Sequence, residues 1–281
     1  MLYMNTVQQQ GAIGVFDSGY GGLTILKDIV KTLPTYSYKY LGDNARTPYG
    51  TRSFETVHQY TWQAVQWFFQ QGCHLVVLAC NTASAKALRT IQQTNLPVLQ
   101  DKHKKVLGVI RPTAEIIGHY TQTNHIGILG TTGTVQSNSY VIEIEKFFPK
   151  VKVFQQACPL FVPLIENNEH NSQGADFFVE KYLQELLNQS NNIDTILLAC
   201  THYPLLMNKI KNYINGNTKI ISQGEIVANS LKNYLQRHPE INALCKQENK
   251  VDFFTTDNTT AFNNQATTFW GQAISSIQVE L

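Results

Sequence analysis

The chain has 281 residues, 43% of them hydrophobic and 15% charged, with 22 basic against 20 acidic side chains and a net charge of +2. That is core-forming material for one or two domains, without the basic field that steers nucleic acid or an anionic membrane, so neither is expected as a partner. No stretch reaches the roughly 20 apolar residues of a spanning helix, and the first twelve residues lack the basic start and apolar run of a signal peptide.

In chain order, the apolar run Ile13–Phe16 reads as a strand and ends in Asp17-Ser18-Gly19. The turn Gly19-Tyr20-Gly21-Gly22 opens a helix that Pro34 closes. Thr24 stands where a dinucleotide fingerprint needs glycine or alanine, so the turn reads as room for a ligand carboxylate at free helix N–H groups. Tyr38–Leu41 is the next strand, and Phe54 to Gln71 is a helix stopped by Gly72. Leu75–Ala79 is continuously apolar, as strands covered on both faces are, and runs into Cys80-Asn81-Thr82. Leu107–Ile110, Ile126–Leu129 (leading to Thr131-Thr132-Gly133) and Val151–Phe154 follow as strands. Val179, Tyr182, Leu183, Leu186 and Leu187 fall on one helix face. The strand Thr195–Ala199 then ends in Cys200-Thr201-His202. Strands alternating with helices predict an α/β fold with mainly parallel sheets.

Two segments recur. Ile13-Gly14-Val15-Phe16-Asp17-Ser18-Gly19 is echoed by Ile126-Gly127-Ile128-Leu129-Gly130-Thr131-Thr132-Gly133, and Leu75 to Thr82 by Thr195 to His202. Both echoes come roughly 110 to 120 residues later and in the same order, the mark of a duplicated unit. The expected fold is therefore two similar, pseudo-symmetric, doubly wound domains, with the active site in the cleft between them. The first takes residues 1–105 plus 221–281, whose tail packs back onto it, and the second takes 106–220.

In open parallel sheets, ligands bind beyond the carboxyl ends of the strands. Both echoed strands place a cysteine there, Cys80 and Cys200, so two facing halves bring two thiols to one cleft. The chemistry that needs such a pair is inversion of a stereocentre. One group removes a proton from one face of a carbon, the other delivers a proton to the opposite face, and the roles exchange in reverse. A free thiol is only a few per cent ionised at neutral pH, so each needs a neighbour to take or hold its proton. Asp17 can serve Cys80 as proton acceptor or orienter, and His202 can serve Cys200. The plainer readings are a buried small hydrophobe for each cysteine, a helix cap for Asp17-Ser18 and a structural imidazole for His202. The equivalence of the two cysteine positions favours function. No Cys-x-x-Cys pair supports a zinc site, no phosphate loop supports ATP, and neither metal nor cofactor is expected. The odd count of five cysteines speaks for reduced thiols in the cytoplasm rather than a disulfide scaffold.

Five runs together resemble the glutamate racemases of the aspartate/glutamate racemase family. They are Gly14 to Thr24, Tyr40 to Gly50, Ala79 to Ser84, Cys158 to Glu166 and Leu198 to Leu205, in family order over about residues 13 to 206. The resemblance implies two α/β domains, no metal and no pyridoxal phosphate. It implies Cys80 and Cys200 as acid/base thiols, with Cys80 deprotonating D-glutamate and Cys200 L-glutamate, assisted by Asp17 and His202. It places substrate contacts at Asp17, Ser18, Pro48, Tyr49, Gly50, Asn81, Thr82, Thr131, Thr132, Thr201 and His202, and an assisting role at Glu166. It further implies a product, D-glutamate, destined for peptidoglycan; dimers, variously arranged, are common in that family, which makes a homodimer one of the open oligomeric states. Ser222-Gln223-Gly224-Glu225 follows the family pattern only in part. The competing readings are an aspartate racemase, which the run Asp43 to Gly50 disfavours, a non-catalytic binding protein on the same fold, and a thiol redox or transfer enzyme.

Overall fold

A computed structural model describes residues 9–281. The expectation about a signal peptide concerns mainly residues 1–8, which lie outside the described residues. Among those described, no helix is long and apolar enough to cross a membrane.

The first sheet begins with β1 (Ile13–Asp17), α1 (Gly22–Thr32) and β2 (Tyr38–Gly42). It continues through α2 (Phe54–Gln70), β3 (Leu75–Leu78), α3 (Asn81–Lys86) and β4 (Lys105–Gly108). The chain then crosses over through α4 (Ile110–Ala114) to β5 (His125–Gly130), α5 (Thr132–Gln136), α6 (Ser139–Phe147) and β6 (Lys152–Ala157). The helices α7 (Phe161–Glu166) and α8 (Gln173–Leu187) lead to β7 (Thr195–Ala199) and β8 (Lys219–Ile221). It returns through α9 (Gly224–Arg237), β9 (Val251–Thr255), α10 (Thr259–Trp270) and β10 (Ser276–Gln278). Six strands form one sheet in the order β10-β9-β2-β1-β3-β4, and four form another in the order β6-β5-β7-β8. Every pairing is parallel. The α/β class read from the sequence therefore holds, and the sheets are parallel throughout.

The strands that lead to the thiols are deeply buried. In β3 and β7, Leu75, Val76, Leu78, Ile196, Leu197 and Ala199 are fully covered, as are Ile13, Val15 and Phe16 in β1, because helices lie on both faces of the sheets. Polar side chains cap several of the helices. Ser53 accepts from the Thr56 N–H at the start of α2, Thr131 from that of Thr134 at α5, and Ser172 from that of Ala175 at α8. At the far end of α2, Gly72 takes a left-handed φ of +80°, which a side chain would resist.

The sheet registers reproduce the echo. Phe16 lies opposite Leu78 in the first sheet, and Leu129 lies opposite Leu198 in the second. The residues after β1 and β3, and after β5 and β7, therefore emerge side by side at the carboxyl ends. Two stretches depart from the sequence reading. The strand expected at Leu107–Ile110 is Lys105–Gly108, because its partner β3 ends at Leu78 and the ladder stops with it. Val109 is already in helical conformation. The tail contributes β9 beside β2 and β10 beside β9, and β8 extends the second sheet; β8 and β10 have three residues each and leave much of their surface exposed, so the apolar pattern is weak there.

Candidate active site

Cys80 follows the end of β3 and Cys200 the end of β7, one from each sheet. Their residues are only 5% and 6% exposed, yet both line one cavity of about 140 Å³. Ser18, Pro48, Tyr49, Gly50, Asn81, Thr82, Thr131, Thr132, Thr201 and His202 line the same cavity. Two larger clefts, of about 660 and 700 Å³, contain no thiol, so the chemistry is concentrated in the small one.

Local backbone fixes each group. The Cys80 sulfur accepts from the Ala83 N–H at 3.4 Å, in the first turn of α3, and lies 3.5 Å from the Ser18 hydroxyl. Asp17 sits behind the wall, 1% exposed; one carboxylate oxygen accepts from the Gly19 N–H at 3.0 Å and the other from the Thr201 hydroxyl at 3.4 Å. The His202 Nδ1 is 3.9 Å from the Cys200 sulfur, and its Nε2 is 2.9 Å from Glu166 Oε1. Cys200, His202 and Glu166 thus form a line from the cavity to the half-exposed edge of α7. Thr82 and Thr131 share a hydroxyl hydrogen bond of 2.9 Å across the two sheets, and the Gly133 N–H donates to Gly50 O at 2.7 Å. The Pro48–Gly50 loop is held from beneath by fully buried Asp43, which accepts from Tyr49 Oη, from Arg46 Nε at 2.7 Å and from the Thr256 hydroxyl at 2.9 Å.

Asp17 and Ser18 are not the N-cap of α1, which is Gly21 with no side-chain bond. The glycine-rich turn is closely packed on its Cβ side. A Cβ on Gly21 would meet Thr201 Oγ1 at 2.2 Å and His202 Nδ1 at 2.3 Å, and one on Gly22 would meet Asp17 Cβ at 2.5 Å. The glycines let α1 approach the helper side chains. Gly21→Ala is accordingly expected to displace His202 and lower turnover by up to about 100-fold, as ångström-scale misplacement does. Circular dichroism beside steady-state rates separates this from unfolding; unchanged rates would contradict it.

Electrostatics separate the two ends of the cavity. Burial and the neighbouring Asp17 carboxylate push the Cys80 thiol up to about 12, so at neutral pH it carries its proton. Burial alone would depress His202, but its hydrogen bonds to Cys200 and Glu166, and their charges, outweigh it and hold the imidazole up to about 10. Burial also raises the Asp17 carboxyl, against the opposing pull of His202 and of the Gly19 and Gly22 N–H groups. All five cysteines are free. Among the described residues, no three His, Cys, Asp or Glu side chains gather in a group able to hold a metal ion. The cavity also takes in Thr47, Thr51, Pro159, Val162, Pro163 and a third thiol, Cys158, which burial holds protonated and which points its S–H at Gln156 O, 3.6 Å away; the sequence assigns none of them a role.

Two parallel sheets that bring two equivalent thiols, each with an acid/base neighbour, to one small and nearly closed cavity define a racemase-type α/β enzyme. The chain belongs to the Asp/Glu/hydantoin racemase family, whose model matches residues 13–231. It is similar to a glutamate racemase of Geobacter metallireducens, 38% identical over 272 residues that cover 96% of this chain and 97% of that one. Among solved structures it resembles a glutamate racemase of Bacillus anthracis, with a TM-score of 0.85, 36% identity, and coverage of 96% of this chain and 98% of that one. It also resembles a Francisella tularensis glutamate racemase in complex with D-glutamate, with a TM-score of 0.84, 30% identity and the same coverage.

Proposed function

We propose that this chain interconverts L- and D-glutamate by passing the α-proton between two thiols. The observation that carries the mechanism is the arrival of Cys80 and Cys200 from equivalent strand ends at one cavity. In the L-to-D direction, Cys200 as thiolate takes the α-proton, with His202 and Glu166 holding the compensating charge. The Cys80 thiol gives its proton to the other face. Cys200 is then a thiol and Cys80 a thiolate, and the reverse reaction uses them in that state. Asp17 returns a proton to Cys80 or receives one from it, a role that its raised affinity for protons suits. The resting arrangement, Cys80 protonated and an imidazolium beside Cys200, is poised for L-glutamate.

Hydroxyls, amides and N–H groups of Ser18, Pro48 to Gly50, Asn81, Thr82, Thr131, Thr132 and Thr201 suit the two carboxylates and ammonium of glutamate. The full-length likeness to glutamate racemases favours glutamate over aspartate. The same reading keeps the division into residues 1–105 plus 221–281 and 106–220, a cytoplasmic location, a homodimer and D-glutamate supplied to peptidoglycan synthesis. The test is turnover of each enantiomer of glutamate and aspartate by the purified chain with no added cofactor. Racemisation of glutamate is the expected outcome, and activity confined to aspartate would overturn the choice of substrate.

A further inference from the structure

We propose that Gln223 is a positioning residue for this reaction, which holds Asn81 beside Cys80 and locks together the two crossings of the chain between the sheets. The inference rests on the two-thiol reading above. Three side chains close a ring. Asn81 Nδ2 donates to Gln223 Oε1 at 2.8 Å, Gln223 Nε2 donates to Tyr140 Oη at 2.7 Å, and Tyr140 Oη donates to Asn81 Oδ1 at 2.5 Å. The second proton on Gln223 Nε2 goes to Thr113 Oγ1 at 2.8 Å, and that hydroxyl donates to Val109 O at 3.0 Å. Both protons of Gln223 Nε2 meet acceptors, with Val109 O a further 3.3 Å from that nitrogen, and turning the Gln223 amide over would set its NH₂ against that of Asn81, so the network fixes its orientation. Asn81, Thr113, Tyr140 and Gln223 are 2%, 0%, 0% and 3% exposed.

The placement gives the ring its role. Asn81 directly follows Cys80 and lines the cavity. Val109 and Thr113 lie on the outward crossing, and Gln223 on the return between β8 and α9. Tyr140 belongs to α6, on the second sheet's side. Gln223 also lines a small void of about 60 Å³ that borders Cys200 and Thr201. One carboxamide therefore touches both crossings, the neighbour of one thiol and the space behind the other. A buried ring of mutual hydrogen bonds is rigid, and removing one member leaves its partners as unpaired polar groups.

The experiment compares wild type, Gln223→Met and Gln223→Glu as full chains. It measures kcat and KM for both glutamate enantiomers from about pH 6 to about pH 9, with circular dichroism and thermal melts in parallel. Methionine keeps the volume but makes neither ring bond. Its kcat is expected to fall about 10- to 100-fold in both directions, with KM changed less than about threefold. A neutral glutamic acid can still accept from Asn81 and donate to Tyr140, and burial favours the neutral form. Gln223→Glu is therefore expected to keep kcat within about threefold of wild type at the acidic end, then lose about tenfold or more as the acid ionises, while still folded. Gln223→Met with kcat within about twofold of wild type would overturn the proposal. So would a Gln223→Glu profile that merely follows its folded fraction; this second criterion decides the matter if the methionine variant does not fold. A wild-type chain that does not racemise glutamate would instead overturn the functional reading on which the proposal rests.

Discussion

Cys80→Ser and Cys200→Ser are each expected to lower racemisation of glutamate by about 10³-fold or more, near the upper range for loss of a positioned acid/base group. Serine preserves the shape, and at position 80 its hydroxyl can still accept from the Ala83 N–H, so the fold should survive. A hydroxyl gives up its proton far less readily than a thiol, however, so it cannot serve as the base. The two variants should also differ from each other. With Cys200 intact, Cys80→Ser can still exchange the α-proton of L-glutamate with solvent without inverting it; Cys200→Ser can do so only with D-glutamate. Polarimetry of each variant from each enantiomer, with proton exchange followed by NMR, measures both. Either variant within about tenfold of wild type would contradict the assignment.

The second large effect concerns His202. Its ordinary value of 6.5 is raised to about 10 in the folded chain. The folded state therefore binds a proton that the unfolded state releases above pH 6.5. The resulting stabilisation is fully present below that pH and is lost as pH rises through about 10. His202→Asn removes this contribution, so melting temperatures of wild type should fall more steeply than those of the variant between those limits. The same substitution removes the group that holds the Cys200 proton and should lower turnover by about 100-fold or more. Glu166→Gln should give a milder version of both effects, because the carboxylate charge is lost while an amide oxygen can still accept from Nε2 and the imidazole remains beside Cys200. Thermal melts across that pH range decide the matter: equal slopes for wild type and His202→Asn would contradict the account.

Much of this architecture was legible in the chain because buried parallel strands have a simple signature. Ile13 to Phe16, Leu75 to Leu78 and Thr195 to Ala199 are covered on both sides, so they stand out as unbroken apolar runs, and the cysteine at each echoed end could be read without a structure. The short, half-exposed β8 and β10 lack such a run, and β9 lies in a tail that echoes nothing. Relations between segments far apart in the chain were also out of reach. Glu166 lies 2.9 Å from His202 across 36 positions of sequence, and Gln223 reaches Asn81 across 142. Nothing in the Ser222-Gln223-Gly224 run marks a partner at such a distance. The second demand on Gly21 was hidden for the same reason, because Thr201 and His202, which leave no room for a side chain there, are brought in by the second sheet.

The central claim is that two different groups work on opposite faces of the α-carbon. Early in the reaction of L-glutamate in deuterium oxide, the product pool separates this from a single-base mechanism. If Cys200 removes the proton and Cys80 delivers one, every D-glutamate formed carries deuterium at the α-carbon from the first turnover, while the remaining L-glutamate stays largely protiated. The converse should hold from D-glutamate. Product that retains the original proton would mean that one group carried it across both faces, and would contradict the two-thiol account.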